Sequence, residues 1–139
     1  MKKSREAGFS LIELLIVCTI IGIIASLAIP FLQKGIRAAE NGNTFASMRT
    51  ISSTQVSYYQ RYGRFGRLTE VNNLLSNSIG TPSGSDLTRG KFLFTMPDNE
   101  TDAQLRDRYR IRATRDVVGE GQTYVYELTQ SGELKQIAP

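Results

Sequence analysis

Residues 8–33 read GFSLIELLIVCTIIGIIASLAIPFLQ, with a single charge, Glu13, among them. The 20 residues from Leu14 to Gln33 carry no charge. As a helix they span roughly 30 Å, about one bilayer core. Three readings compete. A core helix apolar on every face is too much for a chain of 139 residues to bury. A removed secretory signal would explain the basic start and the small residues Ser26-Leu27-Ala28, but Glu13 sits badly in its apolar stretch. The third reading is a retained membrane helix, processed ahead of the apolar run.

Upstream, Lys2, Lys3 and Arg5 outweigh Glu6 and make the first eight residues basic. The positive-inside rule keeps such a start in the cytoplasm and sends the C-terminal part outward. Basic and acidic residues nearly balance downstream, so a pI near 9.4 is weak evidence for nucleic acid. The length suits one ordinary domain, and 40% hydrophobic with 22% charged residues is a foldable composition. There is no His and no Trp, and Cys18 is the single cysteine. This excludes a Ser-His hydrolase, an intramolecular disulfide and a Cys-rich zinc site. The composition argues against an enzyme, and no cofactor or metal is expected. Cys18 is read as a small packing residue.

The leader Lys2-Lys3-Ser4-Arg5-Glu6-Ala7-Gly8, followed by Phe9-Ser10-Leu11-Ile12-Glu13 and the apolar run, resembles the class III leader of type IV pilins and their relatives. The resemblance implies cleavage after Gly8 by a membrane peptidase that also methylates the new N-terminal amine of Phe9. It implies a pilin fold: α+β, a long N-terminal helix packed on an antiparallel sheet. The expected divisions are a leader at 1–8, a membrane and filament-core helix at 9–35, and a globular head at 36–139. A head freed of residues 1–35 is expected to stay soluble and folded. Phe9, Glu13 and Pro30 are the expected assembly residues. A carboxylate near hydrocarbon marks function, and the cationic amine of a neighbouring subunit is its natural partner. Pro30 cannot donate to the carbonyl of Ser26, which suits either a membrane kink or a segment that unwinds on packing. Gly22, Gly35 and Gly42 are further weak points.

The implied partners are other copies of the chain in a helical homopolymer, the prepilin peptidase and N-methyltransferase, an inner-membrane assembly platform with its motor, and lipid before assembly. The implied locations are the inner membrane, single-pass, and then an extracellular pilus. Nucleic acid is not an expected partner.

Beyond residue 35 the helical pattern continues to about Tyr62, roughly 80 Å from residue 10 if unbroken. Phe45, Met48, Ile51, Val56, Tyr59 and Tyr62 are predicted to face the core. Asn43, Ser47, Thr50, Thr54, Ser57 and Arg61 are predicted to lie opposite. Tyr58, Tyr59, Tyr62 and Phe65 read as a docking face rather than an electron relay. Gly63 is a plausible cap, and Gly66 ends any remaining helix. A short helix is expected near Leu68–Leu75 within a loop-rich stretch from 63 to 90, and Thr81-Pro82-Ser83-Gly84-Ser85 reads as loop. Lys91–Met96, Tyr109–Arg115, Thr123–Leu128 and Glu133–Ile137 read as a meander of three or four strands.

Two clusters could carry chemistry. Asp98, Asn99, Glu100 and Asp102 offer oxygen ligands, but without the spacing of an EF-hand they read as a solvated turn. Arg106, Arg108, Arg110 and Arg112 share a face if their strand begins early, a ladder that could meet phosphates, although a solvated face is the plainer reading. The lead reading is a structural subunit of a type IV pilus. A type II secretion pseudopilin is the alternative, weakened because the chain lacks the Trp-Gly segment and C-terminal calcium loop usual in major pseudopilins. The C-terminal Cys pair of many type IVa pilins is absent too, so packing alone must hold the last hairpin. A membrane-anchored DNA-binding module using the arginine ladder is the third reading.

Overall fold

The structure is a computed structural model that describes residues 8–98, 101–117 and 122–138. The fold is α+β. Helix α1 spans Leu11–Tyr62 and helix α2 spans Leu68–Leu74. Six strands follow: β1 Thr81–Ser83, β2 Asp86–Arg89, β3 Phe92–Thr95, β4 Arg110–Val117, β5 Gln122–Thr129 and β6 Leu134–Ala138. They form one antiparallel sheet in the order β1-β2-β3-β4-β5-β6. The chain divides into two compact units between Ala39 and Glu40.

The sheet is wider than the three or four strands expected. The addition comes from the stretch read as loop, where β1 and β2 pair through Thr81↔Thr88 and Ser83↔Asp86. Gly84, at φ +66°, makes the tight turn between them. Pro82 is tolerated because β1 lies at the sheet edge. Gly90, at φ +59°, turns β2 into β3 in the same way.

One row crosses the sheet through Leu87↔Phe94, Phe94↔Ala113 and Ala113↔Tyr126. All four are buried, and they form a core with Met48 and Ile51 of α1, and Leu68 and Val71 of α2. Each large side chain there contributes about 1.5–3 kcal/mol by leaving water. Phe45 packs on Tyr126 with ring centroids 4.6 Å apart.

The buried stripe of α1 differs from the one predicted. It consists of Thr44, Ser47, Met48, Ile51, Thr54, Gln55 and Tyr58. Val56, Tyr59 and Tyr62 are exposed. The spacing is still helical, but the stripe is turned toward small polar residues. These can be buried because each hydroxyl donates to its own helix: Thr44 to the Glu40 carbonyl at 3.0 Å, Ser47 to Asn43 at 2.9 Å and Thr54 to Thr50 at 2.8 Å. A hydropathy count ignores this internal satisfaction and places them outside.

The link between the helices is fixed by side chains. Gln55, fully buried, accepts from the Gly66 N–H and donates to the Gly66 carbonyl, both at 2.7 Å. A Cβ on Gly66 would come within 2.9 Å of Val71 and 3.2 Å of the Tyr58 ring, which explains the glycine. Asn72, also fully buried, accepts from the Ile79 N–H at 3.1 Å and donates to the Gly80 carbonyl at 2.9 Å. Arg64 grips both oxygens of Glu70 at 2.9 and 2.7 Å, and the Arg67 N–H donates to the same carboxylate at 2.8 Å.

The Arg64 guanidinium holds the Glu70 carboxyl down to about 2, against an ordinary value of 4.5. A depressed carboxyl stabilises the fold above its unfolded value, and that stability is lost as pH falls toward the folded one. About 1–2 kcal/mol should therefore disappear between roughly pH 4.5 and 2, after allowance for partial exposure. In urea unfolding, Glu70→Gln should be less stable than the parent near pH 6. The difference should shrink by about that amount near pH 2.5. A pH-independent difference would show that the pair adds nothing.

Candidate functional site: the start of the apolar helix

Gly8, Phe9 and Ser10 precede α1, and Ser10 occupies the cap position before Leu11. The Ser10 N–H donates to Glu13 Oε2 at 3.0 Å. The Ser10 carbonyl accepts the first helical bond, from the Leu14 N–H at 3.2 Å. Ser10-Leu11-Ile12-Glu13 thus supplies the carboxylate half of a capping box. A negative charge in the first turn also opposes the positive end of the helix dipole. Glu13 is therefore aimed back toward the residues that precede the helix. The backbone nitrogen of Phe9 is one residue from the N–H that this carboxylate already holds.

Among the described residues, nothing crowds position 8: a Cβ there would meet no atom within 4 Å. A glycine requirement at this point would come from a protein that acts on the segment, since a narrow cleft accepts a bare backbone more readily than a side chain.

Phe9 is 83% exposed. Leu11, Ile12, Leu14, Leu15, Ile20, Ile24, Leu27 and Leu32 are each more than half exposed. The helix is long and apolar enough to cross a membrane, and none of its most apolar window is buried. Isolated exposed apolar residues are ordinary, but a contiguous surface of this extent marks lipid or protein contact. Two of its hydroxyls are satisfied within the helix: Thr19 donates to the Leu15 carbonyl and Ser26 to the Ile23 carbonyl, both at 2.8 Å. Cys18 is a free, exposed cysteine on this surface. Pro30 lies inside α1, and the helix runs through it.

The other two clusters resolve into ion pairs. Asp98 lies 3.4 Å from Arg110, and Asp102 lies 2.6 Å from Arg67. Asn99 and Glu100 are outside the described residues. Among the described residues, no three His, Cys, Asp or Glu side chains converge to hold a metal. The four-rung arginine ladder does not form. β4 begins only at Arg110, so Arg106 lies in a short 3-10 turn and Arg108 lies outside the strand. Arg112, which is in the strand, is neutralised by Glu127 at 2.8 Å. The readout of phosphates by an arginine row therefore has no structural support.

Sequence reasoning missed a buried charge. Arg115 is 3% exposed, and its Nη1 lies 2.6 Å from Oε2 of Glu40 on α1. Lys91 approaches the other carboxylate oxygen at 3.7 Å, and the Arg115 guanidinium lies 5.8 Å from the Phe92 ring centroid. The signal was the alternation of Tyr109, Ile111 and Ala113, which continues inward to Arg115.

A family model of the prokaryotic N-terminal methylation motif matches residues 3–29. The match supports a class III prepilin leader of the type IV pilin and pseudopilin family. It ends within α1 and does not reach the sheet. It favours a pilin-like structural subunit associated with a membrane, and it is common to pilus subunits and secretion pseudopilins.

Proposed function

We propose that the chain is a structural subunit of a type IV pilus. It is cleaved after Gly8, methylated at Phe9, held in the inner membrane with residues 36–139 outside the cytoplasm, and drawn into a helical filament by an assembly platform and motor. Residues 1–8 are the leader and residues 9–35 the membrane and filament-core segment. The observation that carries the reading is a prepilin leader joined to an exposed apolar helical segment, with Glu13 held at its first turn. The apolar surface needs lipid in the monomer and copies of itself in the polymer. Phe9, Glu13 and Pro30 act at the second step, as N terminus, charge partner and a weak point at which the helix can yield. A pseudopilin of a type II secretion system uses the same leader and remains the alternative.

Mass spectrometry of the mature protein should find an N terminus at Phe9, heavier by one methyl group. An intact Met1, or an N terminus at Ile29 after signal-type cleavage, would overturn the proposal. Electron microscopy of cells with and without the gene separates the two filament types. Long surface filaments that vanish with the gene support the pilus. Loss of protein export without loss of filaments supports the pseudopilin.

A further inference from the structure

The sheet-bearing unit contains a trough between α1 and the β2–β3 turn. Two cavities of about 280 and 210 Å³ make it up, and both are lined by Asn43 and Arg89. One wall is α1, where Glu40, Asn43, Ser47 and Thr50 follow each other at helical spacing. That wall is about 15 Å long. The other wall carries Ser78, Arg89 and Lys91.

The two walls differ in chemistry. Ser47 and Thr50 have given their hydroxyl protons to the Asn43 and Ala46 carbonyls, at 2.9 and 3.0 Å. Both keep oxygen lone pairs that can accept, Thr50 from an exposed position and Ser47 from one that is only 5% exposed. Arg89 Nη1 donates to the Ser78 and Ile79 carbonyls at 3.0 and 3.1 Å. This tether fixes the guanidinium in the shared part of the trough and leaves its other donors for a ligand. Glu40 is the one carboxylate in the lining, and it is shared by buried Arg115 at 2.6 Å and Lys91 at 3.7 Å. With Arg89, three cations meet one carboxylate, which leaves excess positive charge facing a row of acceptors.

We propose that this trough binds an extended acidic peptide. Backbone N–H groups of such a peptide meet the Ser47 and Thr50 oxygens, its carbonyls meet the Asn43 amide, and its carboxylates meet Arg89 and Lys91. About four or five extended residues fill the length. A lone inorganic anion would use the cations and leave the acceptor wall idle. A neutral ligand would leave the excess positive charge unmatched. The site is independent of the N-terminal segment and of the choice between pilus and pseudopilus.

The test uses the full chain in non-ionic detergent micelles, with fluorescein-labelled hexaglutamate as probe and anisotropy as readout. Binding at low salt that weakens as ionic strength rises is expected. Lys91→Glu and Arg89→Gln should each weaken it about tenfold. Ala46→Phe, which fills the trough without changing charge, should weaken it as much. Arg61→Glu, which makes the same charge change as Lys91→Glu at the far end of α1, should leave it unaltered. Circular dichroism confirms that each variant is folded. Equal loss from Arg61→Glu would show general charge attraction and overturn the proposal. So would indifference to Ala46→Phe, absence of binding, or equally tight competition by inorganic phosphate or polyglucuronate.

Discussion

Glu13→Ala is expected to reduce sheared filament to a few per cent or less of parent yield, while the protein is still cleaved and still found in the membrane fraction. Cleavage after Gly8 would place a new amine on Phe9, one residue ahead of the N–H that Glu13 holds at 3.0 Å. The carboxylate is therefore within reach of the amine of its own chain. Self-pairing leaves the monomer tolerable in lipid but gives no reason for subunits to associate. Exchange of that amine for the amine of a neighbour would also fix the axial offset between subunits. Two charges buried in a filament core cost several kcal/mol unless they meet, and removal of one partner typically costs about 3–5 kcal/mol. The penalty would recur at every added subunit. Loss of the Ser10 cap adds only about 0.5–1 kcal/mol to fraying of the first turn. A blot of shear and membrane fractions reads the result. Normal filament yield would remove charge pairing from the mechanism and leave the leader assignment untouched.

Glu40→Ala is expected to be the most damaging single change at a partly exposed position in the sheet-bearing unit, by about 2–3 kcal/mol. Arg115 is 3% exposed and depends on that carboxylate. The contact is close, yet its angle is not that of an aligned hydrogen bond, and Arg115 Nε has no hydrogen-bond partner among the described residues. The cation is thus held by charge proximity and by the Phe92 ring, with little reserve. Without Glu40 it stays buried and uncompensated. Because Glu40 is itself 29% exposed, the cost falls at or just below the lower end of the range for buried pairs. Adding Arg115→Met should restore most of the loss, since an apolar side chain of similar length needs no partner. Urea unfolding of residues 36–139 measures both, and the single variant should melt about 10 °C lower. If the double variant is as unstable as Glu40→Ala, the damage lies in the helix and not in the orphaned arginine.

The elements that were legible in the sequence share one property. The apolar run, the strand alternation at Tyr109, Ile111 and Ala113, and the short helix at Leu68 all announce themselves through hydropathy. What escaped was polar and nonetheless inside. Thr44, Ser47 and Thr54 are buried because their hydroxyls serve their own helix, and Gln55 and Asn72 because they replace missing backbone partners in the links that follow. Arg115 was hidden by its charge. The β1–β2 hairpin was hidden by Pro82 and Gly84, which read as breakers although an edge strand accepts the first and a tight turn uses the second. At the N terminus, Ser10-x-x-Glu13 has the spacing of a capping box, and the carboxylate serves as a cap as well as standing in the leader pattern.

The order of the strands has a bearing on how the sheet is made. Every strand pairs with its neighbour along the chain, so no strand inserts between two others and no crossover has to close. Each step adds a strand to an existing edge, and the loop entropy to be overcome is that of a short connection at every step but β3 to β4, where residues 96–109 intervene. Contacts of low sequence separation favour rapid folding. Such a sheet can be completed strand by strand, before the apolar helix has found any partner beyond the lipid around it.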